Sequence, residues 1–186
     1  MINDIIIRKC TKKEDIIGLY NDLLRFMSEI YISTNGKYPA MEWLSPEEKP
    51  KPEKSNFYQD FFEKYGWFLK WRLMHELDEI FLAISSDELI GVVGLNYNLR
   101  GKEIPWIPKE FMMRDDVGFI ELFAVRPEYR GKGIGTLLFK EAIKRLNELN
   151  KRPCVVTFPN LEAVKFYEKM GGRLIEKYDI FVMYCF

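Results

Sequence analysis

Apolar positions along the chain alternate between strand-like and helix-like spacing. Ile5-Ile6-Ile7 sits at the centre of a β-rich stretch, residues 2–10, which predicts a first strand. Thr11 offers a helix N-cap with Glu14 as its capping-box partner, and Ile16, Leu19 or Tyr20, Leu23 and Met27 follow at helical steps to about residue 32. Residues 35–54 hold Gly36, Pro39, Pro46, Pro50 and Pro52 among charges, a long connection within one domain. Phe57, Phe61, Phe62, Tyr65, Phe68, Leu69 and Leu73 then mark a second helical region, with a break allowed near Gly66. Such an aromatic stripe is ordinarily core, and a substrate-lining role for part of it stays open.

Residues 79–85 and 89–95 read as a hairpin turning at Ser86-Asp87-Glu88. A second long loop, residues 98–116, contains Pro105, Trp106 and Pro108 and is long enough to act as a lid. Residues 118–125 form a strand ended by Pro127. Ile134, Leu138, Ala142, Leu146 and Leu149 mark one face of a helix, and residues 154–158 give another strand. Asn160 is placed to cap a short helix carrying Val164 and Tyr167, which stops at Gly171-Gly172. Residues 174–186 supply one or two further strands. This order predicts a single α/β domain, residues 1–186, with a mixed sheet.

Composition narrows the function more than the fold. Lys plus Arg and Asp plus Glu number 28 each, so no global field draws the protein to nucleic acid or to a membrane surface. No run approaches the roughly 18 apolar residues of a membrane span, and the first ten residues lack a signal-peptide pattern, which predicts a cytoplasmic protein. Cys10, Cys154 and Cys185 are far apart in an odd-numbered set, which argues against a disulfide framework and against a zinc site; no metal is expected. His75 is the only histidine and reads as an ordinary helix residue, so a nucleophile–histidine relay finds no support.

Between a strand and an amphipathic helix lies Arg130-Gly131-Lys132-Gly133-Ile134-Gly135. The first N–H groups of a helix have no intrahelical acceptor, and the helix dipole adds positive potential there. Glycines let an anion approach that backbone closely, which suits a diphosphate. A Walker loop would need Gly-Lys followed by Ser or Thr, and Thr136 follows Gly135 instead. A dinucleotide fingerprint would need G-x-G-x-x-G and an acid on the next strand, and neither is present. A ligand-free turn is the remaining plain alternative.

The run from Leu122 to Gly135 resembles motif A of the GNAT superfamily of N-acetyltransferases, with Arg130, Gly133 and Gly135 on its Arg/Gln-x-x-Gly-x-Gly/Ala pattern. Residues 160–171 are similar to that superfamily's Asn-x-x-Ala-x-x-x-Tyr-x-x-x-Gly segment, with Gly172 where an aromatic is usual. The resemblance is specific over residues 80–186, whereas residues 1–79 match only in order of elements. It implies a mostly antiparallel sheet splayed in the middle with helices on both faces. The N-terminal part would supply acceptor-side helices and residues 80–186 the acyl-CoA core.

It further implies acetyl-CoA as co-substrate and an amine, small-molecule or protein, as acceptor, acylated by direct attack in a ternary complex. A pantetheine arm would pair with the main chain of Phe123, Ala124 and Val125, and the diphosphate with residues from Arg130 through Gly131, Lys132, Gly133, Ile134 and Gly135 to Thr136. Asn160 and Tyr167, seven residues apart on one helix face, would touch the pantetheine and the thioester sulfur. Tyr167 is the candidate acid, and Glu121, mid-strand near the expected splay, the candidate base; a solvent-facing carboxylate is its alternative. Glu103, Glu110, Asp115 and Asp116 could favour a cationic acceptor or form a solvated loop face. A homodimer is compatible with the resemblance. A non-catalytic acyl-CoA sensor and a NAD-binding module remain alternatives.

Overall fold

The computed structural model describes residues 4–186; Met1, Ile2 and Asn3, where the first strand was expected to begin, lie outside them. Strand β1 (Ile5–Cys10) leads to helices α1 (Lys13–Gly18), α2 (Tyr20–Ser33) and α3 (Phe57–Trp71), followed by one wide turn, Arg72–Glu76, closed by the Leu77 N–H on the Arg72 carbonyl at 2.9 Å. Hairpin β2 (Glu79–Ser85) and β3 (Glu88–Asn96), short helix α4 (Lys109–Met112), β4 (Val117–Val125), α5 (Ile134–Glu148), β5 (Arg152–Thr157), α6 (Ala163–Lys169), β6 (Arg173–Tyr178) and β7 (Phe181–Cys185) complete the chain. No helix is long and apolar enough to cross a membrane among the described residues.

Three local expectations change. The predicted first helix is two helices meeting at Leu19, and its N-cap position is Lys12 with no side-chain cap, so Thr11 and Glu14 form no capping box. Gly66 does not interrupt α3: a Cβ there would stand 2.5 Å from the Tyr20 hydroxyl oxygen, so the glycine lets α2 and α3 pack closely. Cys154 and Cys185 form a disulfide, against the expectation of unpaired thiols. They are 31 residues apart, but the antiparallel β5–β7 register sets them side by side, a proximity linear spacing does not show. Cys10 is free and buried.

The seven strands form one sheet in the order β1-β2-β3-β4-β5-β7-β6. Every pairing is antiparallel except β4 with β5, and these two match over only three pairs, Val117 with Arg152 to Phe119 with Cys154. Beyond Phe119 they part. The expected splayed, mostly antiparallel sheet is therefore present, with α1–α3 packed on one face and α5 and α6 on the other.

A bulge in β4 faces the gap. Val92 opposes Ala124 and Gly94 opposes Glu121, so Val93 has two residues, Leu122 and Phe123, opposite it; Leu122 has φ +50°. The extra residue resets the alternation of side chains. Ile120 shares a face with Phe123 and Val125, against α5, while Leu122 and Ala124 pack toward the N-terminal helices.

Candidate active site

A cavity of about 1130 Å³ opens where β4 and β5 separate. One end lies at the glycine loop and the other among loop 35–54, α3 and Trp106. Of the residues expected at the site, Glu121, Phe123, Ala124, Val125, Arg130 and Gly131 line it, as do Gly133, Gly135, Thr136, Asn160 and Tyr167. Lys132 and Ile134 do not: the Lys132 ammonium sits 5.1 Å from the Tyr129 ring centroid, and the Ile134 side chain is core.

The loop has the conformation that anion binding requires. Gly131 and Gly133 have φ of +73° and +86°, and a Cβ on either would meet nothing within 4 Å, so their main chain faces open space. Gly133 stands at the N-cap of α5, and its carbonyl accepts from Leu137 at 2.9 Å, which leaves the N–H groups of Ile134, Gly135 and Thr136 at a helix start with no acceptor in the preceding turn. A Cβ on Gly135 would stand 3.3 Å from the Phe123 ring. The Arg130 guanidinium donates to the Val125 carbonyl at 3.1 Å and to Ser33 Oγ at 3.2 Å. It thus occupies one main-chain acceptor that the resemblance assigned to the ligand, and ties the loop to α2.

Asn160 is not part of α6. The helix starts three residues later with Glu162 at its N-cap position and no side-chain cap, so Asn160 and Tyr167 share the cavity wall but not a helix face. Tyr167 is held by rings, with Phe139 at 5.5 Å and Phe123 at 6.4 Å between centroids. Burial, with Tyr38 and Glu121 as further neighbours, pushes its phenol well above the ordinary value, so it keeps its proton.

Glu121 sits at the far end, only 6% exposed. Its Oε2 accepts from Arg72 Nη2 at 3.0 Å and its Oε1 from Trp106 Nε1 at 3.0 Å. Arg72 is shared: its Nε and Nη2 also donate to the two oxygens of Glu76, at 2.6 and 2.9 Å. One guanidinium thus faces two buried carboxylates. Burial, then the Glu76 charge, raise the Glu121 carboxyl to about 8 against the opposing pull of Arg72. Tyr38 lies in the same cavity, and burial pushes its phenol up to about 12. Its backbone is fixed by Thr34 Oγ1, which donates to its carbonyl at 2.9 Å and accepts from its N–H at 3.0 Å.

Arg72, Glu76, Trp106 and Tyr38 were not singled out as site residues from the sequence. Trp106, between two prolines in a loop read as a lid, carried the one available signal. Glu103, Glu110, Asp115 and Asp116 stay outside the cavity lining, with Asp115 paired to Arg100 at 2.5 Å and Asp116 to Arg114 at 2.6 Å. His75 is an exposed residue of the wide turn.

The Acetyltransferase (GNAT) family profile matches residues 38–172. A crystal structure of a candidate acetyltransferase from Pyrococcus horikoshii is 42% identical, with a TM-score of 0.74 over 96% of this chain and 94% of that one. An N-acetyltransferase from Thermoplasma acidophilum solved with coenzyme A shares the fold at 18% identity, with a TM-score of 0.63 over 97% of each chain. An uncharacterized N-acetyltransferase of Methanocaldococcus jannaschii is 28% identical over 56% of this chain and 43% of its own length. The chain spans less than half the length of the first curated relatives it matches. The match across residues 38–172 and the splayed sheet with its glycine loop agree: the chain belongs to the GNAT family of acetyltransferases.

Proposed function

We propose that the protein transfers an acetyl group from acetyl-CoA to the nitrogen of an amine, by direct attack in a ternary complex within one domain. Residues 1–79 would form most of the acceptor side and residues 80–186 the cofactor side. The observation carrying this reading is that one cavity joins the glycine-loop amides to Tyr167 and Glu121. The donor set suits a diphosphate: open main-chain amides at a helix start, with Arg130 beside them. The Thermoplasma neighbour of the same fold was solved with coenzyme A, which supports the choice of ligand.

Acetyl-CoA would bring the thioester. The residues of the chain would do the rest. An alkylamine, pKa about 10.4, is scarce as free base at pH 7, by about 4–5 kcal/mol, so the nitrogen must lose a proton. Ionised Glu121 would accept it, directly or through water, as the C–N bond forms and the C–S bond breaks. Tyr167 would donate to the departing sulfur. Its raised phenol makes full transfer before bond breaking unfavourable, so donation would develop with the leaving charge.

Release of free thiol from acetyl-CoA, measured against a panel of amines, tests the reading. A non-catalytic sensor would bind acetyl-CoA and release no thiol with any of them, and protection by a nicotinamide dinucleotide instead would point to the third alternative. Two variants probe the parts. Gly133→Val forces a β-branched residue to φ +86°, a strain of about 1–3 kcal/mol, and puts a side chain before the amides. It should raise the acetyl-CoA Kd about 10–100-fold, and an unchanged Kd by calorimetry would remove the loop from the site. Tyr167→Phe should lower kcat by about 10²-fold with acetyl-CoA affinity nearly intact. Equal turnover would dismiss Tyr167 from the chemistry.

A further inference from the structure

The chain has four tryptophans, and all of them lie in one connected set of rings beside the cavity. Trp67 meets Trp43 at 5.3 Å between centroids, Trp43 meets Phe68 at 4.9 Å, and Phe68 meets Trp106 at 6.0 Å. Trp106 ends the series by donating its indole N–H to Glu121. Trp67, Trp43, Phe68 and Trp106 all line the cavity. The outer two are 57% and 41% exposed, an unusual position for the largest apolar side chains, whereas Trp71 backs the series by stacking on Phe68. A continuous aromatic wall therefore leads from solvent to the proposed base.

Arg72 and Glu42 along this wall already have charged partners. Arg72 sits 5.7 Å from the Phe68 centroid and 5.2 Å from that of Trp106, so the inner π faces have a cation. At the mouth, Glu42 holds Lys49 at 3.1 Å, and Lys37 adds positive charge. Three acids line the cavity among the described residues: Glu42 is paired with Lys49, Glu121 with Arg72, and Glu162 stands away from the rings at the N-cap position of α6. A polycation would set an extra charge against Lys37. A planar apolar body would cover the exposed faces of Trp43 and Trp67, and a ring pair of this kind contributes about 0.5–1.5 kcal/mol beyond area burial.

We propose that the acceptor is a primary amine with a single positive charge and an aromatic or bulky apolar group, its nitrogen at Glu121 and that group against Trp43 and Trp67. The inference rests on the transferase reading and names its substrate class.

The test measures kcat/KM with acetyl-CoA for 2-phenylethylamine, the tripeptide Phe-Gly-Gly, ethylamine, spermidine and kanamycin, in the full chain and in Trp43→Ala and Trp67→Ala. The expected result is that 2-phenylethylamine or Phe-Gly-Gly exceeds spermidine and kanamycin at least tenfold. Whichever of the two is faster identifies the source, free amine or polypeptide terminus. The preference for 2-phenylethylamine over ethylamine should fall at least fivefold in one or both variants, through KM. Faster turnover of spermidine or kanamycin, or a preference unmoved in both variants, overturns this inference and leaves the transferase reading standing. No thiol release with any of the five sinks both. Trp67 is 57% and Trp43 41% exposed, and a thermal unfolding curve for each variant separates loss of folding from loss of acceptor binding.

Discussion

Glu121→Gln lowers kcat by about 10²–10⁴-fold, the usual contribution of a positioned base, while the acetyl-CoA Kd stays within about twofold. Gln keeps the shape and one acceptor oxygen, for either the Trp106 or the Arg72 donor, and loses the second acceptor together with the charge and the ability to take a proton. The pH profile identifies the residue more sharply than the rate does. Burial and the neighbouring Glu76 charge hold the carboxyl near 8, above the ordinary 4.5, with Arg72 opposing. A base must be ionised, so kcat/KM rises about tenfold per pH unit below that value and levels off above it. Because Arg72 is shared between two acids, the midpoint belongs to the Arg72–Glu76–Glu121 cluster rather than to one side chain. In the Gln variant this acidic limb disappears. Its survival there would place the base elsewhere.

Removing the disulfide has the largest expected effect on stability. Joining Cys154 to Cys185 closes a loop of 31 residues, and the entropy that the crosslink withholds from the unfolded chain is worth about 3–4 kcal/mol. For a chain of 186 residues this lowers Tm by about 10 °C. Both Cys154→Ala with Cys185→Ala and the reduced wild type should show it, and agreement between them separates the crosslink from the small loss of side-chain volume. Three titratable thiols in the unfolded, unreduced protein, with a Tm indifferent to reductant, would show that the bond does not form.

The sequence conveyed what local chemistry encodes. Gly131 and Gly133 announce left-handed backbone before a helix, and Ile134 to Leu146 announce the helix face that buries against the sheet. Tyr167 was reachable by its spacing within the second motif. The remainder depends on packing. The stretch Val117–Val125 is apolar apart from Glu121 and Gly118, so its strand was legible but its bulge was not, since a strand buried on both faces shows no alternation to interrupt. Arg72 looked like one of many helix charges; only the folded chain brings it to Glu121, 49 positions away. The disulfide escaped for the same reason, because register and not spacing decides which cysteines meet.

The short match between β4 and β5 divides the sheet into a four-stranded wing, β1 to β4, and a three-stranded wing of β5, β7 and β6. Within the sheet, three residue pairs near Gly118 are their whole connection, and Leu146 of α5 packs so close there that a Cβ on Gly118 would stand 2.5 Å from it. The Cys154–Cys185 crosslink adds a covalent tie between β5 and β7 within the smaller wing. Any change in the width of the cleft between the wings therefore hinges on that narrow seam.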